Sequence, residues 1–392
     1  MPSRTKAAKR RKRPPRRRSR HWLLTVPYLV GALVGGLLTW LVTSSGNGPN
    51  ATLAKRPDPV NSKPQEYAWT DQPEPAFPIP PYARFLSAVN IVLDPGHVGQ
   101  RDPGGNWKRG PTGLREAEVN LRVAQFLREF LEAAGARVTL TREVDRCLGL
   151  SDEEDLRARA ELANRIRADL LLSIHHNGDS DPQPNFTTVF YHGTPDHSPA
   201  SLAAGRHLVV GLNDALRLET HLQCALLSDY AIYPGKGLAI LRLAEVPAVL
   251  TEASFHSNPA EEDRLRDPVY NRREAYGLFL GLARWAQAGL PRVSLLSTGQ
   301  PIRPGGQVLV GLEDGLSERG GWDAEQAKIL PGSIVVKLDG QPARFRLDLA
   351  KRQLRVTLPG GLREGPTTLW VDFENVFGQH VLHPRLELEV GR

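Results

Sequence analysis

Between residues 88 and 290, strand-like and helix-like periodicities alternate, and three of the strand-like runs end in a histidine or a glutamate. Ala88–Leu93 leads into Asp94-Pro95-Gly96-His97, Leu170–Ile174 into His175-His176-Asn177, and Ala248–Thr251 into Glu252. Alternation of this kind predicts an α/β domain. In open α/β sheets, ligands bind at the carboxyl ends of the strands, which is where these three residues fall. Helices are expected between the runs. From Glu116, the apolar residues Val119, Val123, Phe126, Leu127, Phe130 and Leu131 recur at helical spacing, and Gly135 stands where a C-terminal cap belongs. Ser151 and Glu154 form a capping-box pattern for a helix ending near Ala168. Ser198-Pro199 opens another running to about Leu216, and a last one covers about Pro268 to Ala288. Arg137–Thr141, Thr187–Tyr191 and Leu238–Leu241 are expected strands.

Two imidazoles and a carboxylate can hold a catalytic zinc while leaving a fourth position open for water. The residue types alone do not choose between His175 and His176, or between Glu116 and Glu118. The runs Leu93-Asp94-Pro95-Gly96-His97, Gly113-Leu114-Arg115-Glu116-Ala117-Glu118-Val119-Asn120-Leu121, Ser173-Ile174-His175-His176-Asn177 and Pro247-Ala248-Val249-Leu250-Thr251-Glu252 with Ser257-Asn258 keep their order and spacing. Together they resemble the zinc-dependent N-acetylmuramoyl-L-alanine amidases of bacterial cell walls, the amidase-3 type, over residues 88–290.

The resemblance implies a mixed open sheet with helices on both faces, Zn2+ as cofactor and peptidoglycan as substrate. It implies His97, Glu116 and His175 as metal ligands and Glu252 as the catalytic carboxylate. Glu116 aligns with the family's glutamate, five residues before Leu121, and His175 with the histidine that directly follows Ser-Ile. His176 stands where a small residue is usual, either lining the substrate groove or exposed. Val98 replaces a glycine common after the first histidine, and Ser254-Phe255-His256 varies a stretch that usually contains glycine; both bear on loop shape. Asn120 and Asn177 either orient ligands or make plain structural hydrogen bonds. Between Leu216 and Leu238 lie about 20 residues with no obvious long insertion, so the extra inhibitory helix that some relatives carry is expected to be absent.

The formal charge of +7 misleads, because residues 1–21 hold 11 Lys or Arg and no acid, leaving 39 basic against 43 acidic residues elsewhere. Residues 22–43 then carry no charged side chain, long enough to cross roughly 30 Å of hydrocarbon. These features predict a cytoplasmic tail over 1–21, a transmembrane signal-anchor helix over 22–44, and an extracytoplasmic catalytic domain. The N-terminal helix would then be the membrane partner and the cell membrane the location. Beside an apolar span the basic run has a topological use, so no nucleic-acid partner is expected. Residues 45–86, rich in Pro, Asn, Ser and Gln, read as an extended linker to a catalytic domain over 87–290. Two cysteines, Cys147 and Cys224, exclude a disulfide framework and admit either one bridge or two thiols.

After residue 290, short alternating segments separated by Gly, Pro and Asp predict a small all-β immunoglobulin-like sandwich over 291–392. Asp339-Gly340 reads as a hairpin turn. Two rivals to the amidase reading stand at this stage. A zinc carboxypeptidase would need a cation for a terminal carboxylate, with Arg101, Arg109 and Arg242 as candidates. A non-catalytic wall-binding protein would have no use for Glu252 as a proton carrier.

Overall fold

Side chains alternate across a strand, so each strand of a two-sided sheet must be apolar on both faces. The expected domain obeys this rule. The computed structural model describes residues 77–98, 108–194, 197–218, 225–297, 302–316, 319 and 326–391, all of them within one unit, Asn61–Arg392. Its first six strands are β1 (Asn90–Pro95), β2 (Arg137–Leu140), β3 (Leu170–Asn177), β4 (Thr188–Tyr191), β5 (Leu226–Ser228) and β6 (Ala248–Phe255). They form one sheet in the order β2-β1-β3-β6-β4-β5. The first four of that order are parallel; β4 runs antiparallel to β6, which makes the sheet mixed.

Among the described residues six α-helices surround it: α1 (Glu116–Ala133), α2 (Asp152–Arg165), α3 (Pro199–Leu216), α4 (Ala239–Leu243), α5 (Pro259–Arg266) and α6 (Pro268–Gln287). Ile91, Leu93, Leu170, Leu172 and Val249 pack with α1, α3 and α6 on one face. Their alternating neighbours Val92, Leu171, Ala248 and Leu250 pack with α2 and α4 on the other. Helices thus cover both faces, as expected from the family pattern. Gly135 (φ +86°) ends α1. Ala136 N donates to Leu131 O there, the bond that closes a left-handed helix cap. Ser151 and Glu154 complete the capping box of α2 reciprocally.

Two expectations are corrected. The membrane helix over 22–44 lies outside the described residues, and among the described residues no helix is long and apolar enough to cross a membrane. The transmembrane element, and the membrane attachment resting on it, are therefore not supported; what stands is the mixed α/β architecture. The strand expected at Leu238–Leu241 is the short helix α4. Its Ala, Leu and Arg favour helix, and one turn suffices to lay Ile240 and Leu241 against Ala160 and Ala163 of α2.

The C-terminal strands are β7 (Arg292–Leu295), β8 (Gln307–Glu313), β9 (Val335–Leu338), β10 (Gln341–Pro342), β11 (Arg344–Asp348), β12 (Gln353–Thr357), β13 (Gly365–Asp372) and β14 (Arg385–Val390). They make two four-stranded sheets, β10-β9-β13-β14 and β11-β12-β8-β7, over a shared core including Val310, Val356, Leu369 and Phe373. Asp339 (φ +47°) and Gly340 (φ +79°) turn the β9–β10 hairpin, as a two-residue turn with both φ positive requires. This β module is bolted to the α/β domain. Arg292 Nη2 and His383 Nε2 reach Asp169 Oδ1 at 2.9 and 3.3 Å. Asn375 Nδ2 donates to Ala288 O at the end of α6 (2.9 Å). Asp169 directly precedes β3, so this contact lies at the amino ends of the parallel strands, away from their carboxyl ends.

Candidate active site

The carboxyl ends of β1, β3 and β6 lie side by side, and the amino end of α1 points at them. Gly96 lets β1 turn against the His175 imidazole: a Cβ at this position would clash with Cε1, Nε2 and Nδ1 of that ring. His97 follows with φ +59°, a left-handed conformation unusual for a residue with a side chain. Two buried arginines brace the turn from below. Arg142 donates to Pro95 O (2.9 Å) and Gly96 O (3.1 Å). Arg159 donates to Pro95 O (2.9 Å) and His97 O (3.3 Å), and pairs with Asp94 (2.8 Å) and Asp155 (2.7 Å). Thr141 and Ser173 hydroxyls complete the shell of Asp94.

On this platform three donors converge. His175 Nδ1 lies 3.1 Å from both His97 Nε2 and Glu116 Oε1, and His97 Nε2 is 3.2 Å from Glu116 Oε2. These contacts use both oxygens of Glu116; with one ligand atom taken from each residue, all three lie within 4.8 Å of one another, close enough to share a single cation. Among the described residues these three form the one group of His, Cys, Asp and Glu side chains that can hold a metal ion. Glu116 is buried, and its Oε2 has no hydrogen-bond partner. That is an atom a cation would satisfy. Burial opposes its ionisation, but His97, Lys108 and the hydrogen bonds it accepts hold its pKa well below the usual carboxylate range. Burial likewise drives His97 down to about 4, so its imidazole is neutral at neutral pH, the form that binds metal. Glu118 does not belong to the group: its side chain is 53% exposed and faces Arg122.

Glu252 is the register partner of His175 on the neighbouring parallel strand. Its Oε2 is inaccessible and has no hydrogen-bond partner. Burial pushes its carboxyl up to about 7, against the pull of the His175 imidazole. A pocket of about 180 Å³ opens beside the group, lined by His97, His175, Lys108, Arg115, Asp152 and Ile240 among others.

His176 neither lines the groove nor reaches solvent. It turns to the opposite face of β3, where it is 2% exposed. Nδ1 meets Asn120 Oδ1 (2.8 Å) on α1, and Nε2 meets Glu274 Oε2 (3.0 Å) on α6. Burial alone would lower its pKa, but Glu274 overrides this and raises it. His256 is buried as well, and its Nδ1 donates to His176 O (3.1 Å). Of the arginines that could seat a terminal carboxylate, Arg101 lies outside the described residues. Arg109 forms a backbone bridge with Arg115, and Arg242 is committed to the carbonyls of Lys236 and Gly237. Cys224 also lies outside the described residues. Arg142, Arg159 and Glu274 went unmarked in the sequence, because a buried charge far along the chain from its partner leaves no periodic signal.

The position of Gly96 gives a direct test. The Gly96→Ala variant must displace the His175 ring, and should weaken metal binding by more than the roughly 10–100-fold typical of losing an outer-shell partner. Zinc competition titration measures it; unchanged affinity would mean that His175 need not hold this position.

Residues 91–284 match the family model described as N-acetylmuramoyl-L-alanine amidase. The germination-specific N-acetylmuramoyl-L-alanine amidase of Bacillus subtilis is 32% identical over 52% of this chain and 83% of its own. A probable cell wall amidase, LytH of Staphylococcus epidermidis, is 28% identical over 51% of this chain and 59% of its own, so the chain spans little more than half of that relative. Among solved structures, the amidase Ami1 of Mycobacterium smegmatis aligns with 51% of this chain and 98% of its own at 22% identity, with a TM-score of 0.45. On the family model and the extent of the Bacillus match, the chain belongs to the N-acetylmuramoyl-L-alanine amidase family of peptidoglycan hydrolases.

Proposed function

We propose that this chain hydrolyses the amide between N-acetylmuramic acid and L-alanine of the stem peptide, with His97, Glu116 and His175 holding a zinc ion and Glu252 carrying the proton. The observation behind it is the trio of donors 3.1–3.2 Å apart, with an orphaned Glu116 oxygen, beside a second carboxylate on the adjoining strand. Zinc held there would polarise the scissile carbonyl and acidify water. The two imidazoles and the carboxylate leave Glu252 Oε2, which has no hydrogen-bond partner, outside the ligand set. It can take a proton from the attacking water and return it to the leaving L-alanine amine. A carboxyl whose pKa lies near 7 suits both halves of that exchange. Because peptidoglycan lies outside the cytoplasmic membrane, the domain is proposed to act there.

The products test the assignment. The purified chain, given peptidoglycan, should expose new L-alanine amino termini, and chelation should abolish their release. New D-residue carboxyl termini would mean a carboxypeptidase instead, and binding without cleavage a wall-binding protein.

A further inference from the structure

Two residues on the far side of β3 from Glu252 have no place in that mechanism, although they are among the costliest side chains in the fold. His176 and Glu274 have fully buried side chains, and each exposes 0%. Glu274 Oε1 has no hydrogen-bond partner, so the carboxylate is engaged through Oε2 on His176. Removing a carboxylate from water for one hydrogen bond is a poor source of stability. The bond has a directional consequence, however.

His176 links Glu274 to Asn120: Nε2 lies 3.0 Å from Glu274 Oε2, and Nδ1 lies 2.8 Å from the Oδ1 end of the Asn120 amide. Its Nδ2 must then face Gly96 O (3.2 Å) and Glu116 Oε1 (3.3 Å), and it donates to both. Flipped, the amide would set its oxygen against two acceptors. The backbone N–H of His176 donates to the same Glu116 oxygen at 3.1 Å. Oε1 of Glu116 therefore accepts from two donors on or beside His176, and also stands 3.1 Å from His175 Nδ1. Oε2 is left without a hydrogen-bond partner, 3.2 Å from His97 Nε2.

We propose that Glu274 and His176 are positioning residues, which hold Asn120 against Oε1 and so fix the Glu116 carboxylate between His175 and His97. The inference rests on the zinc reading of the trio and concerns how that site is built. Where the family pattern has a small residue after the second histidine, this chain would spend a buried pair on orienting its carboxylate ligand.

The test is zinc affinity, measured by competition with a chromophoric chelator on the full chain in the absence of substrate. Wild-type protein that binds no zinc would overturn the metal reading itself. If wild type binds, Glu274→Ala and His176→Ala should each weaken affinity by about 10–100-fold. Glu274→Gln, which can still accept from Nε2, should recover much of the loss. A double-mutant cycle between His176→Ala and Asn120→Ala should be strongly non-additive, since both cut one chain of bonds. Folded variants that bind zinc as wild type does would overturn the proposal, as would additive losses at His176 and Asn120. Should Glu274→Ala fail to fold, the Glu274→Gln comparison and the cycle decide the matter.

Discussion

Replacing Glu252 with glutamine is expected to lower kcat by roughly 10²–10⁴-fold, the usual worth of a general acid–base group, with zinc affinity nearly unchanged. Glutamine keeps the shape but neither accepts the proton of the attacking water nor returns it to the amine. Because Glu252 lies beside the donor trio and is not one of its three members, the metal should stay. Single-turnover assays on zinc-loaded E252Q, with bound metal counted in the same sample, separate the two quantities. A variant that turns over normally would remove Glu252 from the mechanism.

The same residue makes a second, pH-dependent expectation in the metal-free protein. Its carboxyl titrates at about 7 when folded against 4.5 ordinarily. Below pH 4.5 it is protonated in both states. Between 4.5 and 7 the unfolded chain releases the proton while the folded chain keeps it, so stability falls as pH rises through that window. The E252Q variant lacks this term, and its melting temperature should gain on that of wild type between pH 4.5 and 7. A constant difference would show that burial does not hold the proton on Glu252.

The elements that the sequence revealed are those whose signals are local. The capping box of Ser151 and Glu154, the glycine that ends α1, and the apolar runs of β1, β3 and β6 are properties of a few adjacent residues. His97, Glu116, His175 and Glu252 could be named because each sits next to such a run, within a motif that keeps its spacing. What stayed hidden depends on contacts between distant positions. Nothing near Arg159 announces that it braces a turn 62 residues away, and nothing near Glu274 points to a histidine 98 residues earlier. His176 did carry a signal, a bulky polar residue where a small one is usual, yet its direction could not be read. Consecutive residues on a strand face opposite ways, and that parity sends His175 to the metal group and His176 into the helix layer. Leu238–Leu241 misled for a related reason: a short apolar run looks the same whether it becomes a strand or one buried helical turn.

Substituting Arg159 with methionine is expected to cost about 3–5 kcal/mol of stability, as removal of one partner from a buried ion pair does, and to weaken zinc binding at the same time. Its side chain is 2% exposed, and the guanidinium serves four acceptors on two sides. Asp94 and Asp155 neutralise it, while Pro95 O and His97 O use its remaining N–H groups to fix the left-handed turn. Methionine fills the volume but strands Asp94, whose remaining hydrogen bonds come from Thr141 and Ser173. Lysine should rescue little, because a single ammonium cannot reproduce a planar fork with five donors. The pH dependence identifies the cause. Burial alone would raise the pKa of Asp94, but Arg159 and the two hydroxyls bring it from 3.8 to about 2. A carboxyl depressed on folding contributes stability above its unfolded pKa and loses it as pH falls through its folded one. The gap between wild type and R159M should therefore be widest above about pH 4, and narrow as acid is added toward pH 2. Urea melts across that range, with zinc titrations at neutral pH, test both parts. A gap that does not vary with pH would assign the loss to packing. Unaltered zinc affinity in the folded variant would show that His97 holds its conformation without the brace.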